Sequence, residues 1–419
     1  MAIISKASII ALLLCITFLN YSGVLYEMYA NTGLYQAPMG LDYILVAGCW
    51  AGLAAFFIPG KIARPSDLFL IFYNVICFLW GAIFWPITGL ISYEQLPLFM
   101  AIMVAPNLAV LSFRGILAEL LDRHIPPIQL ASWRLNILPF ALIALAGAFL
   151  AAQVVGSGSF DFDGVYDRRL DARGVLVANP LANYAMNMAT GAVVPLLAFI
   201  AGYRRSLVAA IIALAYVVLV YWLVGQKSPM VNVTVLACIG VALRDRRVGH
   251  HFVPLLLLAV VGVYGLALAA FEIGHTTIVA DVLVRRVSII QPQIQSFYFD
   301  LWSNSGLQQM LFGVDVGGYS DHTFMVGDLY FKNAADNANV NAFLYSLAGG
   351  GVVGYLVAIL TVTFVFSIFD SFYKRTRRVE FFGLAATFAI LLSEQAYTTS
   401  LLSSGVALCL VLVMLFSYP

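Results

Sequence analysis

SLVAAIIALAYVVLVYWLVG, residues 206–225, contains no charged side chain. A helix needs about twenty such residues to cross the roughly 30 Å hydrocarbon core of a bilayer. Lipid supplies no hydrogen-bond partners, so a backbone that crosses it must satisfy its own N–H and C=O groups, which a helix does. Arg204 and Arg205 precede the stretch, and Lys227 follows it in the turn GQKSP (225–229). Another apolar run begins at 230. The two runs therefore read as a hairpin, with a basic doublet on one side of the membrane and a short polar turn on the other.

The same pattern recurs on both sides of this hairpin. Runs of near-spanning length lie at 7–25, 41–59, 68–87, 96–113, 136–155, 183–203, 206–225, 230–243, 252–271, 340–369, 380–395 and 401–417. Hydrophobic residues make up 62% of the 419 and charged ones 10%, and mean hydropathy is +0.93. Soluble domains carry roughly 45–50% apolar and about 25% charged residues, so this composition suits lipid. The expected fold is all-α, a single polytopic membrane domain over 1–419 with about twelve transmembrane helices. No small-x-small cleavage site follows Lys6 and the run from Ile9, so that run reads as a spanning helix. The run at 340–369 is longer than a bilayer requires and is expected to tilt or project. Residues 114–135 read as a surface-lying amphipathic element broken at Pro126-Pro127. Two connections are long, 156–182 and 272–336, and both are expected to be periplasmic loops. A loop as long as the second usually carries function.

Charge sets the orientation. With the N-terminus in the cytoplasm, fifteen of the 22 Lys and Arg fall on the inner side, in short loops, as the positive-inside rule requires. Both termini are then cytoplasmic. A net charge of +1 gives no bulk field to draw nucleic acid. The five cysteines all lie in apolar runs without metal-ligand spacing and read as small core residues. Charges inside the spans are nearly absent, with Asp370 and Glu394 near the ends of late spans, and this scarcity argues against an ion-driven pump.

Seven basic residues remain outside: Arg168, Arg169, Arg173, Lys227, Arg285, Arg286 and Lys332. Asp161, Asp163, Asp167 and Asp171 stand beside the arginines of VYDRRLDARG and offer themselves as partners. Around Arg286, a helix capped by Thr277 would gather Ile278, Val279, Val282, Leu283, Ile289 and Ile290 on one face at 100° per residue, with Arg286 in its middle. An arginine so placed either snorkels to headgroups or forks onto phosphate. Lys227, confined to a tight turn, is an interfacial anchor or a further cation for the same anion. Asp161-Phe-Asp163 resembles an acidic metal motif but reads as a solvated loop. For a general base the outer candidates are His322, Asp328 and Asp336. Tyr166, Tyr298, Trp302 and Tyr319 are placed to anchor at the interface or to stack on sugars.

The later half of the chain runs from Arg285-Arg286 through LFGVDVGGY (311–319) to NVNAFLYSLAGGGVVGYL (339–356), which opens a span. This order, with the GQKSP turn and the helix count, resembles the Wzy-type O-antigen polymerases, in a superfamily that also holds the O-antigen ligases. Ligase-like members often place a histidine just before the asparagine that opens the late span. Here Val340 precedes Asn341, which favours a polymerase. The resemblance implies a GT-C-type transferase in a bacterial inner membrane that uses neither metal nor cofactor. It would join oligosaccharide repeat units carried on undecaprenyl pyrophosphate at the periplasmic face, alongside a flippase and a chain-length regulator. Pyrophosphate would fall to Arg286, Arg285 and Lys227. The sugars would meet Arg168, Arg169, Arg173, Tyr166, Tyr319 and Asn341. A ligase acting on lipid A-core, or a flippase without chemistry, are the rival readings.

Overall fold

Ser206 begins the helix that the 206–225 stretch forms: its side chain accepts a hydrogen bond from Ala209 N, and Gly225 closes the helix at φ +71°. The computed structural model describes residues 2–29, 41–81, 91–124, 137–156, 158–161, 164–334 and 336–416. In chain order its helices are α1 (Ala2–Asn20), α2 (Leu41–Phe57), α3 (Asp67–Phe78), α4 (Leu96–His124), α5 (Leu138–Val155), α6 (Val165–Val177), α7 (Pro180–Arg204), α8 (Leu207–Val224) and α9 (Ser228–Arg244). Then follow α10 (Arg246–Gly274), α11 (Ala280–Ile289), α12 (Ile290–Ser303), α13 (Leu307–Phe312), α14 (His322–Phe331), α15 (Ala342–Thr376), α16 (Glu380–Leu391), α17 (Tyr397–Leu401) and α18 (Val406–Phe416). No strand occurs among the described residues.

Eight helical stretches are long and apolar enough to cross a membrane, and four shorter apolar helices, Leu45–Phe57, α3, α9 and α16, accompany them among the described residues. Each of the twelve apolar runs overlaps one of these helices. The protein is thus a multi-pass helical membrane protein. Its surface agrees, because Leu207, Ile211 and Leu214 lie along one stripe of α8 with 73%, 56% and 61% of their surface exposed. Such a stripe is stable against lipid and unstable against water. The centre of the bundle is α16, all of whose residues are buried. Helices approach most closely through small residues, as when Gly202 of α7 meets the Ala237 carbonyl of α9.

One end of the bundle, here called the basic end, is tied by ions. Arg114 of α4 pairs with Asp67 of α3 at 2.6 Å. Asp122 of α4 holds Lys374 and Arg375 of α15 at 2.9 and 2.8 Å. Arg204 of α7 pairs with the buried Glu380 of α16. Asp370 of α15 accepts from Ser66 N at 2.9 Å and Ser66 Oγ at 2.6 Å. Lys6 Nζ donates to the Ile58 carbonyl at 2.7 Å and so joins α1 to the chain just past α2.

The structure adds detail to three expected segments. Within 272–336 the chain folds into α11 to α14, and Pro292–Phe299 of α12 are all buried. Their burial is against protein, so polar Gln293, Gln295 and Ser296 sit there and depress the hydropathy that would have marked the helix. The 340–369 run does not simply tilt. Helix α15 breaks at Gly351, with φ +60° and ψ −157°, a conformation open essentially to glycine alone. A Cβ on Gly351 would lie 2.3 Å from the Leu311 carbonyl carbon, so the end of α13 lies in the notch. Residues 114–124 continue α4, whereas 125–136, with Pro126-Pro127, lie outside the described residues.

Candidate functional site

At the opposite end, here called the loop end, α6 is the hub. Ala172 and Leu176 are buried at the four-residue spacing of one helix face, packed with Ala151 of α5, Leu223 and Val224 of α8 and Met186 of α7, and the buried Val165 lies against Gly225. That face orients the three arginines of α6 in three directions. Arg173 lies over the Phe324 ring of α14, 5.0 Å from its centroid. Arg169 is close enough to act electrostatically on Glu394, in the turn after α16. Arg168 lies 5.8 Å from the Tyr221 ring centroid, beside the turn that holds Lys227. A Cβ on Gly225 would stand 3.5 Å from Arg168 Nε.

The guanidinium of Arg168 is only partly used. Its Nη1 donates to the Asp161 carbonyl at 3.2 Å. Its Nε and Nη2 are buried without an acceptor among the described residues. Those two N–H groups share one edge of the guanidinium, the fork that grips a carboxylate or phosphate with two parallel bonds. Leaving a charged donor buried and unsatisfied is costly, so the edge reads as a socket for an anion. None of the ion pairs among the described residues involves Arg168, Arg169 or Arg173. The neighbouring aspartates therefore do not neutralise them in the way the sequence invited, with Asp163 outside the described residues.

Glu394 is exposed in the turn after α16; the protein around it pushes its carboxyl pKa up, with Arg169 pulling it back down. A carboxylate with a raised pKa accepts a proton more readily near neutrality. Sequence reading treated Glu394 only as a charge at a span end. The available signal was its isolation, for it is the only charged residue between 381 and 419.

Of the predicted bases, His322 and Asp328 hold hydrogen-bond partners and Asp336 is exposed. His322 is buried at the start of α14, and its Nε2 meets the Val314 carbonyl at 2.8 Å. A carbonyl only accepts, so Nε2 carries the hydrogen and Nδ1 is the basic nitrogen; that nitrogen faces the backbone at Gly349. Asp328 accepts from the Tyr319 hydroxyl at 2.5 Å, which raises the phenol's pKa. Asp336 is exposed. Asp321 caps α14 through Thr323 N and also holds the Tyr345 hydroxyl at 2.7 Å. Tyr330 donates to Asp300 at 2.5 Å.

Arg285 and Arg286 form a separate cluster. Arg285 pairs with Asp281 at 2.5 Å and stacks over Tyr29, 4.6 Å from the centroid. The Tyr29 hydroxyl also donates to Asp281. Helix α11 is π-wound: Ile290 N reaches back five residues to the Arg285 carbonyl. The wider winding turns the expected wheel. Its buried residues are Ala280, Val284, Ser288 and Ile289, while Ile278, Arg286 and Val287 are exposed. Arg286 is thus not centred on a buried face.

Asn341 is fully buried and caps α15, its Oδ1 accepting from Phe343 N and Leu344 N at 3.1 Å. Tyr298 and Trp302 are buried and bonded to the carbonyls of Ala338 and Met310, so neither has a free face for a sugar. The Tyr166 side chain lies outside the described residues. No group of three His, Cys, Asp or Glu among the described residues is arranged to hold a metal. Comparison of the chain with protein-family models, with curated proteins and with solved structures returns no match.

Proposed function

We propose that this chain is a Wzy-type polymerase: a GT-C-type, metal-independent glycosyltransferase with twelve transmembrane helices in a bacterial inner membrane. The basic end is then cytoplasmic, with both termini, and the loop end is periplasmic, in keeping with the positive-inside rule. The substrates are oligosaccharide repeat units on undecaprenyl pyrophosphate, delivered by a flippase and handed on under a chain-length regulator. The observation that supports this reading best is the open fork of Arg168 beside the Lys227 turn, with Glu394 within electrostatic reach of the next arginine on the same helix.

The chemistry follows from that arrangement. An acceptor hydroxyl on the new unit attacks the anomeric carbon of the growing chain. The new C–O bond forms as the bond to the pyrophosphate oxygen breaks, and the lipid pyrophosphate leaves with the electron pair. Arg168 meets the developing phosphate charge with two N–H donors already in place, which lowers the barrier. Lys227 adds a positive field from the adjoining turn. Glu394 takes the hydroxyl proton, a role that suits it better than His322, Asp328 or Asp336, given their present partners or positions. Arg169 keeps Glu394 ionised between turnovers. Arg173, Tyr166 and Tyr319 border the sugars, and Arg285 with Arg286 serve lipid headgroups at the membrane surface.

The test is the gel profile of surface lipopolysaccharide from a strain lacking this chain. Cores bearing a single repeat unit are expected, because flipping and ligation survive while polymerisation is lost. Bare cores with long lipid-linked polymer in the periplasmic leaflet would identify a ligase. Bare cores with single units held on the cytoplasmic side would identify a flippase.

A further inference from the structure

A cavity of about 870 Å³ opens at the basic end, far along the bundle from α6. The segment before α3 walls it with Pro59, Gly60, Lys61, Ala63 and Arg64, and α4 floors it from Leu111 to Glu119. Its charges divide into committed and uncommitted. Arg114 is tied to Asp67 and Ser66, and Asp67 also accepts from Ala63 N and Arg64 N at 2.8 and 2.9 Å. Glu119 pairs with Arg123 at 2.6 Å. Lys61 and Arg64 are exposed, and neither side chain has an acceptor among the described residues. Arg64 overhangs the floor, with its Nη1 4.0 Å from where a Cβ on Gly115 would lie. Two cations therefore look into a roomy cavity whose acids are already spoken for.

The floor says what kind of anion fits. Helix α4 is long and apolar enough to span the bilayer. Leu98, Leu108 and Ile116 are exposed along it, and Ser112 sits between the latter two at four-residue spacing, so they share one stripe that runs from the cavity into the membrane. A free anion would use the cations and leave the stripe idle. A lipid would use both, its phosphate among Lys61 and Arg64 and its chains along α4. Basic pockets between transmembrane helices hold anionic headgroups for this reason.

We infer that this cavity is a binding site for the phosphate headgroup of an anionic phospholipid of the surrounding leaflet. It is independent of the glycosyl-transfer reading and stands whether or not that reading survives. The experiment adds phosphatidylglycerol, phosphatidylcholine or inorganic phosphate to the purified full chain in detergent and follows binding by native mass spectrometry and thermal unfolding. Phosphatidylglycerol is expected to bind and to raise the melting temperature, and phosphatidylcholine to do so far less. The Lys61→Ala/Arg64→Ala variant should bind phosphatidylglycerol about tenfold more weakly, while its lipid-free melt stays unchanged because neither side chain is hydrogen-bonded or ion-paired to another of the described residues. Ser112→Trp, which fills the cavity without touching its charge, should weaken binding as well. Equal phosphatidylglycerol binding by wild type and both variants would overturn the site. Inorganic phosphate binding as tightly as the lipid would overturn the lipid assignment.

Discussion

At the basic end, Asp67, Asp122 and Glu380 each hold a lysine or arginine. At the loop end, Asp300, Asp321 and Asp328 each hold a tyrosine hydroxyl instead. A phenol satisfies a carboxylate without neutralising any cation. The loop end can therefore keep its acids hydrogen-bonded and still leave the arginines of α6 unneutralised. Asp281 is the exception, since it takes both Tyr29 and Arg285, and it marks the cluster where an arginine is already matched. The loop end also gains its shape from backbone packed on backbone, at Gly351 against Leu311 and at Gly313 against Gly349. One end is fastened with charge, and the other is fastened by shape and keeps its charge for a ligand.

Substitutions can test this division. The largest effect is expected from Gly351→Ala, which places a methyl group in the Leu311 backbone at a φ that alanine resists. Loss of the monodisperse peak in size-exclusion chromatography is the expected result, and a normal peak would show that shape does not hold this end. Glu394→Gln should lower glycosyl transfer about 10²- to 10⁴-fold, the usual range for a general base, with the melt unchanged. Arg168→Ala should lower transfer about 10²- to 10³-fold, again without loss of thermal stability, and Arg168→Lys should recover little because it lacks the fork. If Arg168→Ala instead melts early with normal activity, the residue is a structural tie like those of the basic end.

The reverse is expected across the bundle. Arg204→Ala strands the buried Glu380 carboxylate and should cost about 1–3 kcal/mol of stability, seen as an earlier melt, while activity per folded molecule is kept. The smallest effect concerns pH. Glu394 has a pKa above its usual 4.5, so the native chain holds this proton more tightly than the unfolded chain. Between 4.5 and the raised value, stability therefore rises as pH falls, whereas activity falls because the carboxylate is lost. Arg169→Ala removes a cation that lowers this pKa, so the acid limb of the activity profile should move to higher pH. An unmoved limb would separate Arg169 from Glu394.

The membrane helices were legible because lipid selects long apolar runs, and 206–225 shows the rule at its plainest. A helix around Arg286 was legible, but its continuation through 290–303 was not. Gln291, Gln293, Gln295 and Ser296 break the hydropathy, and protein rather than lipid surrounds Pro292–Phe299. The place of Arg286 was misjudged because a π-wound helix does not keep the 100° period. Arg168, Arg169, Arg173 and Lys227 stood out as cations on the side where few were expected. Which of them was uncommitted depended on tertiary contacts with Asp161 and Phe324. Glu394 drew little notice because a lone acid at a helix end has many ordinary explanations.

The break in α15 has a mechanical meaning. In an unbroken helix the Ala348 carbonyl would accept from the amide four residues on, but here it accepts from Val314 N at 2.7 Å. The hydrogen-bond rail that would make α15 a stiff rod is thus handed to a different part of the chain. Residues 342–350 are coupled to the segment carrying Val314 and His322, while the rest of α15 is clamped to α4 through Asp122. With Gly351 held outside helical φ/ψ, the rod is in effect two levers with a common pivot, and a load on the loop end need not reach the clamped end.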